Sequence, residues 1–102
     1  MKIKITPTQI ETYSDNSSLI CFPKNSEYKR FKFWLSNKRV FKTGWFYTIY
    51  IDEKGTTTIF KNGNGQWNKF EKISEQKITN KKLIEAFSHQ QDSIIEKKHR
   101  YH

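Results

Sequence analysis

One cysteine, two prolines and four glycines are all that this 102-residue chain contains of those three residue types. A single cysteine, Cys21, excludes an internal disulfide and any zinc site built on paired thiolates. Within an apolar run, such a cysteine reads as a small hydrophobe. No stretch approaches the roughly 18 apolar residues of a membrane-crossing helix. Residues 1–25 lack the continuous apolar segment of a secretory signal, so a cytoplasmic location without membrane association is expected. No internal repeat or low-complexity tract is present.

Catalytic patterns are equally scarce. His89, His99 and His102 have no cysteine partners and no pairing at helical i, i+4 spacing. Asp52 and Glu53 adjoin in a turn, with no second carboxylate pair in a metal-like pattern. Nothing matches a nucleophile elbow or a Ser/His/Asp set. The expectation is a non-enzymatic protein with no cofactor and no metal.

Acids are outnumbered. Ten Asp and Glu face nineteen Lys and Arg, a formal charge of +9 with a pI near 9.7. Such an excess concentrates polyanions and speeds their capture, and nucleic acid is the commonest of these. Mean hydropathy is −0.89, polar for a globular protein, yet aromatics reach 16% where disordered chains are poor in them. The composition fits one folded domain over residues 1–102.

Periodicity divides that domain into a β-rich part, 1–78, a helix over 79–98 and a frayed tail, 99–102. "KIKI" alternates, with Lys2 and Lys4 on one face and Ile3 and Ile5 on the other, and Pro7 ends it. "ETYSDNSS", Glu11–Ser18, reads as a loop by composition, and Leu19–Phe22 as a short strand stopped by Pro23. Lys29–Leu35 alternates again, and a short segment Arg39–Lys42 follows before a break at Gly44. Trp45–Asp52, β-branched and aromatic almost throughout, is the strongest strand signal. Its rings admit two readings, as core or as an interface for a partner on the face of Phe46, Thr48 and Tyr50.

"DEKG", Asp52–Gly55, and "KNGNG", Lys61–Gly65, read as hairpin turns flanking a strand "TTTIF", with Gln66–Ile73 as the next strand. That spells a β-meander, and with the preceding strands a mainly β (α+β) fold of five to seven strands in an open, OB-like barrel. From Thr79 the period becomes helical. Leu83, Ile84, Phe87, Ile94 and Ile95 share a face, Gln91 interrupts the stripe, and Thr79 or Asn80 serves as N-cap.

The segment Tyr28–Ile51 concentrates the functional signal: nine aromatics, six Lys or Arg, and no acid. Sequence-tolerant binding of single strands needs cations that track phosphates and flat rings on which bases stack. Alternation turns Phe31, Phe33 and Leu35 to one face and Arg30, Lys32 and Trp34 to the other, which supplies both from one strand. Lys38, Arg39 and Lys42 extend the charge. Lys61, Trp67 and Lys69, around the "NGNG" turn, add a ring and cations, and Lys81 and Lys82 at the helix start offer a phosphate site. The bland alternative is that Trp34 packs under a loop and the cations are merely solvated.

The passage "FKFWLSNKRV…GWFYTIYI", Phe31–Ile51, resembles small proteins of phages and mobile elements of low-GC Gram-positive bacteria, many of which carry a Phe-Trp-Leu-Pro-Lys-like stretch before an aromatic strand. Ser36 stands here where the proline would be. The resemblance implies a part in replication or maintenance of the element, as a nucleic-acid binder or an accessory subunit of a polymerase or primase. Two functions are therefore carried forward: binding of single-stranded DNA or RNA, and protein interaction with a larger replication enzyme. A DNA mimic is disfavoured because its charge would have to be negative.

Overall fold

The structure, a computed structural model, describes residues 1–63 and 71–96. Among these residues the chain forms eight strands and a C-terminal helical segment. Strands β1 (Lys2–Ile5), β2 (Ile10–Tyr13), β3 (Ser17–Cys21), β4 (Lys32–Ser36), β5 (Val40–Thr43), β6 (Phe46–Tyr50), β7 (Thr56–Asn62) and β8 (Lys72–Thr79) divide into two sheets. One has the order β1-β6-β5 and the other β2-β3-β4-β7-β8, and all of these neighbours pair antiparallel.

The mainly β class with a C-terminal helix is as expected; the expected meander through Asp52–Ile73 does not form, and the OB-like barrel is not confirmed. β6 pairs with β1 and β5, β7 pairs with β4 and β8, and neither sheet closes on itself. The "DEKG" turn carries the chain from one sheet to the other instead of closing a hairpin. Its glycine does take the left-handed conformation, Gly55 having φ +95°. The second hairpin does form: β7 and β8 pair in register from Thr56–Thr79 to Phe60–Glu75. Its tip, with the expected strand start at Gln66, lies outside the described residues.

Glu11–Ser18, polar enough to read as a loop, contains β2 and the turn into β3. β2 is an edge strand with mostly exposed residues, so it carries no apolar alternation to betray it. The expected strand at Lys29 starts three residues late, because Arg30 adopts a positive φ of 73° in the preceding turn.

One core joins both sheets. The first sheet supplies Ile3, Ile5 and Ile49, and the second supplies Ile20, Phe33, Ile59 and Ile78. Phe22, Tyr28 and Phe31 enter from the β3–β4 connection, and Leu83 and Phe87 from the helical segment. That segment is interrupted: α1 (Asn80–Ala86) gives way to a 3-10 turn, Ser88–Gln90, before α2 (Gln91–Glu96). The polar gap in its apolar stripe has a purpose. The Gln91 side chain accepts from the Lys4 N–H (2.7 Å) and donates to the Lys4 carbonyl (3.0 Å), and Gln90 donates to the same carbonyl (2.9 Å). Two glutamines thus satisfy the open edge of β1 and shield it from further strand pairing.

Thr79 is the N-cap, its hydroxyl accepting from the Lys82 N–H at 3.2 Å. Asn80 fastens the helix start to the inter-sheet turn. Its buried amide donates to the carbonyls of Asp52 (2.8 Å) and Lys54 (3.0 Å) and accepts from the Thr57 hydroxyl, while its backbone N–H donates to the Gly55 carbonyl. Removing that amide orphans several partly buried groups, each costing about 1–3 kcal/mol. We expect Asn80→Ala to lower stability by roughly 2–3 kcal/mol and Tm by roughly 10–20 °C in a thermal melt. A shift of less than about 3 °C would remove this clasp from the account.

Candidate nucleic-acid interface

β4 exposes Trp34 and buries Phe33, as alternation demands. Phe33 is fully buried, edge-on to Phe22 at 5.3 Å between ring centroids, while Trp34 is 50% exposed. The other two members of the expected trio are placed differently. Arg30 lies before the strand, and its guanidinium donates to the Asn62 carbonyl at 3.4 Å. Lys32 does share Trp34's face but is only 8% exposed, its ammonium donating to both Glu11 oxygens at 3.0 and 2.8 Å. A cation so buried, with both oxygens of the half-exposed Glu11 carboxylate on its ammonium, is engaged within the fold and would have to give up that pair to reach a phosphate.

Beside this pair lies Cys21, directly across from Lys32 in the β3–β4 register. Its thiol donates to Glu11 at 3.6 Å. Burial, with the Glu11 carboxylate as a further cause, pushes that thiol up to about 11. Phe60, paired with Lys32 across β4 and β7, has the Lys72 ammonium 4.9 Å from its ring centroid, and Lys72 also bridges to Glu75 at 2.9 Å. Two cations on this face, Lys32 and Lys72, are thus paired with acids, whereas Lys77, across from Thr58 on the same face, is exposed. A cleft of about 250 Å³ lies at its margin, lined by Glu11, Cys21, Arg30, Phe31, Lys32 and Asn62 among others.

The three-stranded sheet is different in kind. Ile3, Ile5, Ile49 and Val40 turn inward, which sends Lys2, Lys4, Phe46, Thr48, Tyr50, Phe41 and Thr43 to the opposite face. Register sets Lys2 across from Tyr50, and Lys4 and Phe41 across from Thr48 on either side. Phe41 is 49% exposed and meets the Tyr50 ring edge-on at 5.4 Å. Arg39, exposed just before β5, donates to the Tyr50 carbonyl at 3.5 Å. The face sets the exposed Phe41 ring and the half-buried Tyr50 ring beside three cations, with Phe46 and Thr48 buried among them, and its strands contain no Asp or Glu. Asp52 and Glu53, in the turn after Ile51, bound it at one end.

Of the secondary residues, Lys38 and Arg39 are exposed in the 3-10 turn between β4 and β5. Lys42 is exposed on β5 but opposite Tyr47, on the side away from Phe41. Lys61 is half-buried, its ammonium 5.2 Å from the Phe31 ring centroid. Lys81 and Lys82 are exposed on α1, yet its first-turn amides are engaged: Asn80 N–H by Gly55 and Lys82 N–H by Thr79. Trp67 and Lys69 lie outside the described residues. Lys2, Lys4 and Phe41 went unrecognised in the sequence because their proximity depends on β1 pairing with β6, some 45 residues away along the chain. No protein-family model, curated protein or solved structure matches the chain.

Below pH 9, a thiol raised from 9.0 to about 11 carries roughly 100-fold less thiolate than an ordinary cysteine. Alkylation of Cys21 by iodoacetamide is thus expected to be at least tenfold slower in the folded protein than in urea at mildly alkaline pH. Equal rates would contradict the partial burial of the Cys21 thiol beside Glu11.

Proposed function

We propose that this protein binds single-stranded nucleic acid on the outer face of its three-stranded sheet. Bases stack on Phe41 and Tyr50, and Lys2, Lys4 and Arg39 neutralise phosphates. The observation that carries the reading is the exposed Phe41 ring, edge-on to the half-buried Tyr50, beside cations on strands without a single acid. Stacking contributes ~1–3 kcal/mol per base whatever the base, so the mode is tolerant of sequence. Duplex reading is disfavoured. α1 and α2 span seven and six residues, pack against β8, β7 and β1, and mix Lys81 and Lys82 with Glu85 and Asp92. A part for such binding in replication or maintenance of a mobile element rests on the resemblance of Phe31–Ile51 noted above.

Titration of fluorescently labelled oligothymidylate tests this. Three phosphate contacts predict that log affinity falls with log salt at a slope of about −2. Phe41→Ala is expected to weaken binding roughly 5–100-fold. Lys32→Met, which removes a cation already held by Glu11, is expected to change affinity less than about twofold. If the wild-type protein shows no affinity at low salt, the reading fails and the same face is left to a protein partner. If Lys32→Met costs as much as Phe41→Ala, the binding surface lies on the five-stranded sheet instead.

A further inference from the structure

The chain passes directly from Trp34 to Phe41, and these two exposed rings belong to different sheets. Between them lie Ser36 and the 3-10 turn Asn37–Arg39, which carries the corner from β4 to β5. From this corner, and resting on the single-strand reading above, we infer that the binding track continues around it, so that Trp34 forms a second stacking subsite. Lys38 and Arg39 bridge the two subsites.

Three observations support the track. First, no acid occurs in the chain from Tyr28 to Ile51, so both subsites and the bridge between them form one uninterrupted basic stretch. Second, the corner is held rigidly. Asn37 accepts from the Ser18 hydroxyl (2.6 Å), donates through its amide to the Ser14 carbonyl (2.7 Å) and through its backbone to the Asn16 carbonyl (2.9 Å). The Ser36 hydroxyl accepts from the Lys38 N–H at 3.3 Å, closing the turn. Anchors that are already ordered lose little conformational freedom on binding, which favours affinity. Third, the scale suits a polymer. Seven residues separate Trp34 from Phe41, at most roughly 25 Å of extended chain, within the reach of the ~4–16 nucleotides that small single-strand-binding folds occupy.

The charge on this route is not wholly unopposed. The β2–β3 hairpin tip that grips Asn37 contains Asp15, which is exposed. On the Trp34 face Lys32 is held by Glu11, and beside the corner the exposed cations are Lys38 and Arg39. The occupant is accordingly a strand long enough to span both rings, and a tetranucleotide engages only the Phe41–Tyr50 face.

The test compares a labelled tetranucleotide and a dodecanucleotide of thymidine at one low salt concentration. Trp34→Ala is expected to cost roughly 5–100-fold for the dodecanucleotide and less than about twofold for the tetranucleotide. Lys38→Glu is expected to behave in the same length-dependent way, and, as a substitution at an exposed turn residue, it guards against misreading a folding defect. Phe41→Ala weakens both ligands. If both ligands bind through Phe41 while Trp34→Ala and Lys38→Glu affect them equally or not at all, the corner track is overturned and the single-face reading stands. If neither ligand responds to Phe41→Ala, the underlying reading falls with it.

Discussion

Seating Phe33 in the core determines most of what this surface becomes. The ring lies fully buried between Phe22 and Phe87, at 5.3 and 6.3 Å, and so ties the five-stranded sheet to the β3–β4 connection and to the helical segment. A strand repeats every two residues, so an inward Phe33 forces Lys32 and Trp34 to the opposite face, and a one-residue slip would turn both toward the core. Asn37 then turns the chain into β5, where an inward Val40 sends Phe41 outward in the same manner. The two exposed rings are consequences of what is packed behind them.

Charge separates the two sheets more sharply than shape does. On the five-stranded sheet Glu11 holds Lys32 and Glu75 pairs with Lys72, so two of its three outward cations among the described residues have acid partners, Lys77 on β8 being the exposed exception. On the three-stranded sheet Lys2 and Lys4 flank rings on acid-free strands. A net charge of +9 attracts polyanions to the whole molecule, but local pairing decides where one would rest. Glutamine, not a cation, secures the edge of β1, which leaves the lysine side chains of that strand uncommitted by the Gln90 and Gln91 bonds.

What could be read from the sequence was local. The alternation of "KIKI" and of Phe31–Leu35, the Thr79 cap and the Leu83–Phe87–Ile94 stripe each rest on contacts within a few residues or on one buried face, and each is present. Strand partnership was not readable. β6 and β7 are joined by a turn with good hairpin chemistry, and only the preference of β6 for β1 and β5 sends them to separate sheets. Glu11 lies 21 residues from Lys32, in an edge strand with no apolar rhythm, and nothing local announces that it neutralises the most plausible phosphate ligand. The proposed site differs from the sequence expectation at Arg30 and Lys32, centring on Lys2, Lys4 and Phe41, for the same reason: pairing over long separations decides which charges are engaged.

The account centres on the acid-free face of β1, β6 and β5. Amide chemical-shift mapping during titration with oligothymidylate addresses it most directly. The account predicts that the largest shifts fall on Lys2–Ile5, Arg39–Thr43 and Thr48–Tyr50, with β8 and α1 little changed. Shifts concentrated on β7, β8 and α1, or no shifts at low salt, would contradict it.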